Sequence, residues 1–85
     1  MDISRGEQRI LHLLALGGRI IVEKDEDGRP LKFECFTRNG WIFPGLNPKL
    51  FRKLKRRRCI ASSKSGPYQI TRRGLQLVRA RPDNR

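Results

Sequence analysis

The chain has 85 residues and a net charge of +12. A domain of this length buries only about 60–65% of the surface its unfolded chain exposes, which leaves little room for an enclosed active site beside a core. The charge is lopsided: residues 1–36 carry six basic and seven acidic side chains, whereas residues 37–85 carry fourteen basic and one acidic. A half-chain of net +13 points to an acidic partner, which is nucleic acid, an anionic membrane or an acidic protein surface.

Ser4-Arg5-Gly6-Glu7 is a capping box, in which the Ser4 hydroxyl accepts the Glu7 N–H and Glu7 reaches back to the Ser4 N–H. The helix it starts places Ile10, Leu11, Leu13 and Leu14 on one face, and Arg5, Gln8, Arg9 and His12 on the other. Gly17-Gly18 supplies a left-handed residue to end it. Residues 19–24 and 31–36 are strand-like; in the second, Leu31, Phe33 and Cys35 alternate with Lys32 and Glu34, as in a half-buried strand. Asp25-Glu26-Asp27-Gly28 joins them as a β-hairpin. Asn39-Gly40 is a second turn, and residues 41–43 form a short third strand before Pro44-Gly45.

Residues 47–58 form the most informative stretch. Asn47 is a good N-cap, and Pro48 sits at the first helical position, where its missing N–H costs nothing. From Lys49 to Arg58, seven of ten residues are basic, yet Leu50, Phe51 and Leu54 share one arc. Lys49, Arg52, Lys53 and Arg56 fall opposite. The helix should stop near Arg56 or Arg57, because continuing it would turn Arg58 into the apolar arc. Residues 59–62 and 68–71 are two more short strands around the loop Ser63-Lys64-Ser65-Gly66-Pro67. Thr71 can cap a last helix over residues 72–80, with Leu75 and Val78 inward. Gly74 costs about 1 kcal/mol against Ala there unless close packing requires it. The tail, residues 81–85, has no apolar side chain and is expected to be loose. The expected fold class is therefore α+β: a single winged-helix-like domain over residues 1–85, with three helices, a hairpin after the first and a wing after the basic helix.

The chemistry of sites is thin. Cys35 and Cys59 have no further Cys or His at ligand spacing, so four zinc ligands cannot be assembled. They read as small core hydrophobes in a reducing cytosol. The acidic turn lacks the alternating acids and distal Glu of an EF-hand. Cross-strand partners among Arg19, Lys24 and Lys32 account for Glu23 and Glu34 without catalysis. His12 is the only histidine and lies on the polar face. No nucleophile has a second His to activate it, and no P-loop exists. Trp41, Phe43 and Tyr68 fit core packing better than a partner surface. The expectation is a protein without catalysis, cofactor or metal. Its longest apolar run, residues 13–16, is too short to cross a bilayer, so the chain is expected to be soluble, cytoplasmic and without a leader.

What remains is binding. A basic helix, a two-stranded loop and a final helix have the order of a winged helix-turn-helix, with Lys64 at the wing tip. The usual second helix is missing, and the hairpin occupies its place in the chain, so DNA docking does not transfer intact. Each Lys or Arg that neutralises a phosphate releases counterions, with a salt slope of about −0.9 per contact on a duplex. Lys49, Arg52, Lys53, Arg56, Lys64, Arg72 and Arg73 are the candidate contacts. A solvated basic face is the ordinary fate of such a run, but thirteen excess charges on 49 residues favour an acidic partner.

Several strings taken together resemble the YjhX family of small bacterial proteins. They are Ser4-Arg5-Gly6-Glu7-Gln8-Arg9-Ile10-Leu11-His12, Gly17-Gly18-Arg19-Ile20, Glu34-Cys35-Phe36-Thr37-Arg38-Asn39-Gly40, Phe51-Arg52-Lys53-Leu54-Lys55, Pro67-Tyr68-Gln69-Ile70 and Val78-Arg79-Ala80-Arg81-Pro82-Asp83-Asn84-Arg85. The likeness runs over essentially the whole chain. It implies the toxin half of a toxin–antitoxin pair, with a cognate antitoxin as one partner and DNA topoisomerase I as the target, inhibited by direct binding. It carries over no catalytic residues. The competing expectation is a winged-helix transcriptional regulator that binds double-stranded DNA.

Overall fold

A computed structural model describes residues 4–79. Three helices and five strands alternate in the order α1 (Arg5–Ala15), β1 (Arg19–Lys24), β2 (Pro30–Phe36), β3 (Ile42–Phe43), α2 (Pro48–Arg56), β4 (Ile60–Ser62), β5 (Tyr68–Ile70) and α3 (Arg72–Arg79). The strands form one antiparallel sheet in the order β3-β2-β1-β5-β4. The expected α+β class, the hairpin and the three helices are all present. The β4–β5 pair is not free-standing. Ile20 of β1 pairs with Tyr68 of β5, so the loop after the basic helix is stitched into the hairpin's sheet.

Local chemistry explains the boundaries. Helix α1 begins with both halves of the capping box: the Glu7 N–H donates to Ser4 Oγ at 3.2 Å, and the Ser4 N–H donates to Glu7 Oε1 at 3.1 Å. Gly17, at φ 108°, ends it. In the acidic turn, Asp25 Oδ1 accepts the N–H groups of Asp27 and Arg29 at 2.9 and 2.8 Å, so this carboxylate is spent on the turn. Helix α2 starts where Asn47 Oδ1 accepts the Leu50 N–H at 2.8 Å. It ends with Arg57 as C-cap and Arg58 in the left-handed region at φ 59°. Reversing the chain there keeps Arg58 exposed and out of the apolar arc.

Register sets the core. Val22 stands opposite Phe33, and Ile20 opposite Cys35, so these four side chains share one sheet face. Helix α2 rests on that face through Phe51, whose ring lies 4.6 Å from Phe33 and 5.0 Å from Tyr68, centroid to centroid. Ile10, Leu11 and Leu14 of α1, Leu54 of α2 and Val78 of α3 complete the core around Ile20, Cys35, Cys59 and Ile60. Thr71 ties α3 to the end of α2, because its hydroxyl donates to the Arg58 carbonyl at 2.7 Å and accepts the Gly74 N–H at 3.1 Å. Gly74 is there for space. A Cβ would stand 2.5 Å from the Cys59 carbonyl oxygen and 2.7 Å from Ile70 Cγ1.

Four expectations need correction or delimiting. Leu31 is 67% exposed, because β2 at that point has left the helices and runs into the hairpin tip. Trp41 is 73% exposed rather than packed in the core; the Thr37 turn holds its N–H, at 3.1 Å from Thr37 Oγ1, so β3 begins one residue later. Helix α3 is described to Arg79, and Ala80 lies outside the described residues. The tail, residues 81–85, also lies outside them.

Glu7 does more than cap. Its side chain has no solvent exposure, with Lys53 Nζ 3.7 Å from Oε1 and Arg57 Nη1 3.5 Å from Oε2. A buried carboxylate is tolerable only when paired, so this pair of cations fixes where α2 crosses α1. The crossing is close, since a Cβ on Gly6 would stand 3.1 Å from Leu50 Cδ1.

Four outcomes are expected. Glu7→Gln should lower stability by about 3 kcal/mol, read from the urea midpoint, because two cations lose their counter-charge and the capping box is weakened. Lys53→Gln should cost less than about 1 kcal/mol, since that ammonium is partly solvated and Arg57 stays in place. Gly74→Ala should destabilise by about 1–2 kcal/mol, the overpacking at Cys59 outweighing the better helix propensity. Burial pushes the Cys35 thiol from its ordinary 9.0 up to about 11. The folded state holds that proton more tightly than the unfolded chain, so its contribution is complete below pH 9.0 and lost as pH rises through about 11. Urea midpoints should fall across that window, and less steeply in Cys35→Ala.

Candidate functional site

The basic helix presents its charges in three directions. At ~100° per residue, Lys49, Arg52 and Arg56 lie within about 60° of one another, diametrically opposite Leu54. All three are exposed, and Leu54 is fully buried. Lys53 lies about 40° further round, on the side of α1, where Glu7 takes it. Lys55 lies on the other flank, where its Nζ stands 5.7 Å from the centroid of the Tyr68 ring, a cation–π contact with β5. The centre of the outward face is therefore Lys49, Arg52 and Arg56. Lys53 stands at its edge with its charge already matched.

Electrostatics favour this arrangement. Lys53, Lys55 and Arg56 occupy the last turn of α2, at the negative end of the helix, and its first turn carries no acid. Glu7, in the first turn of α1, is set against the positive end of its own helix. No described carboxylate is paired with Lys49, Arg52 or Arg56, so their charges are free for a partner.

The remaining candidates, Arg72, Arg73 and Lys64, are all exposed. Thr71 binds the Arg58 carbonyl, so Arg72 and Arg73, both exposed, follow directly from the end of α2. The thiol of Cys59 reports the same proximity: burial raises its pKa, and the Arg73 charge opposes that rise. Lys64 is exposed at the tip of the β4–β5 loop, at φ 53°, with Ser65 following at φ 60°. Two consecutive non-glycine residues in the left-handed region turn the loop tightly, and the Ser62 hydroxyl secures it by donating to the Gly66 carbonyl at 2.7 Å.

Sequence reasoning missed two members of the surface. Arg58 is exposed between the end of α2 and the start of α3; its role in stopping the helix was legible, but its place between two basic elements depends on the Thr71 contact. Lys55 sits on Tyr68, a contact that depends on the β1–β5 pairing. Among the described residues no group of three or more His, Cys, Asp or Glu side chains could hold a metal, and no helix is long and apolar enough to cross a membrane. Cys35 and Cys59 are buried free thiols.

Comparison with known proteins gives this surface a context. The family that matches residues 1–85 is the YjhX toxin family, described as "Putative toxin of bacterial toxin-antitoxin pair". The chain is 67% identical over 85 residues to a UPF0386 protein of Chelativorans sp. (strain BNC1), covering 100% of both chains. It is 64% identical over 84 residues to one of Hyphomonas neptunium, covering 99% of both. It is 60% identical over 85 residues to one of Agrobacterium fabrum, covering 100% of both. No solved structure matches. The family description implies a cognate antitoxin as a partner. A match over the whole length, joined to full-length relatives at this level of identity, establishes that the chain belongs to the YjhX toxin family.

Proposed function

We propose that this protein is a toxin that acts without catalysis, by docking its basic face on a bacterial target in the cytoplasm. The target that the family resemblance implies is DNA topoisomerase I, inhibited by direct binding. The observation that carries the reading is the exposed, unpaired triad Lys49, Arg52 and Arg56, backed by a rigid core contact through Phe51 and Leu54. Arg72, Arg73 and Lys64 extend the same field. Complementary charge speeds encounter and fixes orientation, and it needs no reactive group.

A second reading rests on the order α2-β4-β5-α3 with Lys64 at the loop tip. We propose on that basis a winged-helix-like regulator of transcription as the alternative. Its partner would be double-stranded DNA, held mainly by phosphates and therefore largely independent of sequence.

Induced expression in a bacterium should arrest growth and shift plasmid supercoiling. The triple variant Lys49→Gln/Arg52→Gln/Arg56→Gln should abolish both effects while its urea midpoint stays near that of the parent. Lys53 is left intact in this variant, because neutralising it perturbs the Glu7 contact as well as the surface. Unchanged growth and supercoiling on expression of the parent chain would remove the toxin reading. Titration of a DNA duplex at two salt concentrations examines the alternative. Three to six phosphate contacts give a log–log salt slope of about −3 to −5, and absence of binding at low salt would remove it.

A further inference from the structure

A second surface lies on the other side of α1 and shares no residue with the basic helix. The outward face of α1 and the segment running from the end of β2 to β3 enclose an open groove of about 1040 Å³. Arg5, Arg9 and His12 follow one another along its α1 wall, and Arg38 stands on the opposite wall. Leu13, Leu16 and Phe43 supply its apolar surface.

The apolar surface is built, not incidental. Leu13 packs on Gly18, where a Cβ would stand 2.5 Å from Leu13 Cδ2. The Phe43 ring lies directly over Gly45. The stem of Arg38 crosses Gly17, with Cγ and Cδ 3.2 Å from where a Cβ would be. At three glycines the missing Cβ thus leaves the space that these three groove residues occupy, and a preformed groove spares a ligand the cost of ordering it.

Among the described residues the charge of the groove is uncompensated. No carboxylate is among the described lining residues, and no described carboxylate is paired with Arg5, Arg9 or Arg38. Arg5 sits in the first turn of α1, at the positive end of the helix, where a cation is unfavourable. Arg9 follows at i+4, so the two repel along the same face. Leu16 is 61% exposed at the end of this row. An occupant that carries carboxylates relieves the repulsion, and one that also carries apolar side chains covers Leu16 and Phe43.

We infer that this groove receives an acidic, amphipathic polypeptide segment of a protein partner. Carboxylates on one side of the segment meet Arg5, Arg9 and Arg38, which bind them through paired N–H donors. Apolar side chains on its other side enter between Leu13, Leu16 and Phe43. A nucleic acid backbone matches the arginines but leaves the apolar surface uncovered, which is why a polypeptide fits better. The inference does not rest on the proposed action of α2, since no residue of that helix lines the groove.

The test uses the full chain and a labelled synthetic helix with Leu on one face and Glu on the other. Its scrambled isomer, polyaspartate and a DNA duplex serve as competitors. Addition of the amphipathic peptide should shift the backbone amide resonances of Arg9, His12, Leu16 and Arg38, and leave those of Lys49, Arg52 and Arg56 in place. The charge-reversed variant Arg9→Glu/Arg38→Glu should weaken binding by about tenfold or more, and Leu16→Ser by several-fold. All three substitutions fall on exposed side chains, and the amide spectrum reports whether the fold survives. The triple α2 variant should bind the peptide as the parent does. The inference is overturned if the scrambled peptide or polyaspartate binds equally well, if the shifts map to α2, or if the DNA duplex displaces the peptide from the groove.

Discussion

A buried carboxylate governs the arrangement of this small protein. Glu7 lies in the first turn of α1 without solvent contact, and two cations reach it, Lys53 from the last turn of α2 and Arg57 from its C-cap. An isolated charge in that position would cost several kcal/mol, so the crossing of the two helices must deliver its partners. The same carboxylate closes the capping box, which couples the start of α1 to the end of α2. Once this crossing is fixed, Leu50 seats against Gly6, Phe51 against Phe33 and Tyr68, and Leu54 in the centre of the core. The sheet follows, because Tyr68 is brought to Ile20 and joins the two hairpins.

That arrangement divides the basic run into structural and free charges. Lys53 and Arg57 are drawn toward Glu7, and Lys55 toward the Tyr68 ring. Lys49, Arg52 and Arg56 remain outward. A run of seven basic residues in ten thus yields a compact outward triad, opposite the buried Leu54. A helix fixed to the core through Phe51 and Leu54 suits the docking proposed above, because little backbone ordering is left to the moment of binding.

Much of this was legible in the sequence. Capping residues carry their own geometry, so Ser4 with Glu7, Asn47 with Pro48 and Thr71 each marked a helix start. The clash of Arg58 with the apolar arc correctly ended α2. Close packing at Gly74 was one of two readings its position allowed, and the Cys59 carbonyl decides between them. What escaped reading was whatever depends on distant pairs. The β1–β5 pairing joins residues 48 positions apart, and no local pattern announces it. Glu7 had a sufficient local role as a cap, which hid its long-range one. Trp41 and Leu31 were expected to pack by residue type or alternation, yet Trp41 lies in the turn before β3 and Leu31 near the hairpin tip, and both are exposed. The arginines of α1 gave no signal as a set, because Arg38 joins them only when the chain has folded back after β2.

Docking of the outward α2 triad on a protein target, with no DNA bridge, is what we propose. Its most direct test is the binding of this protein to purified DNA topoisomerase I, measured by calorimetry after nuclease treatment. A complex that forms without DNA, and is lost on neutralising Lys49, Arg52 and Arg56 together, is the result predicted here. A complex that forms only when DNA is added, or one indifferent to those three residues, would contradict it.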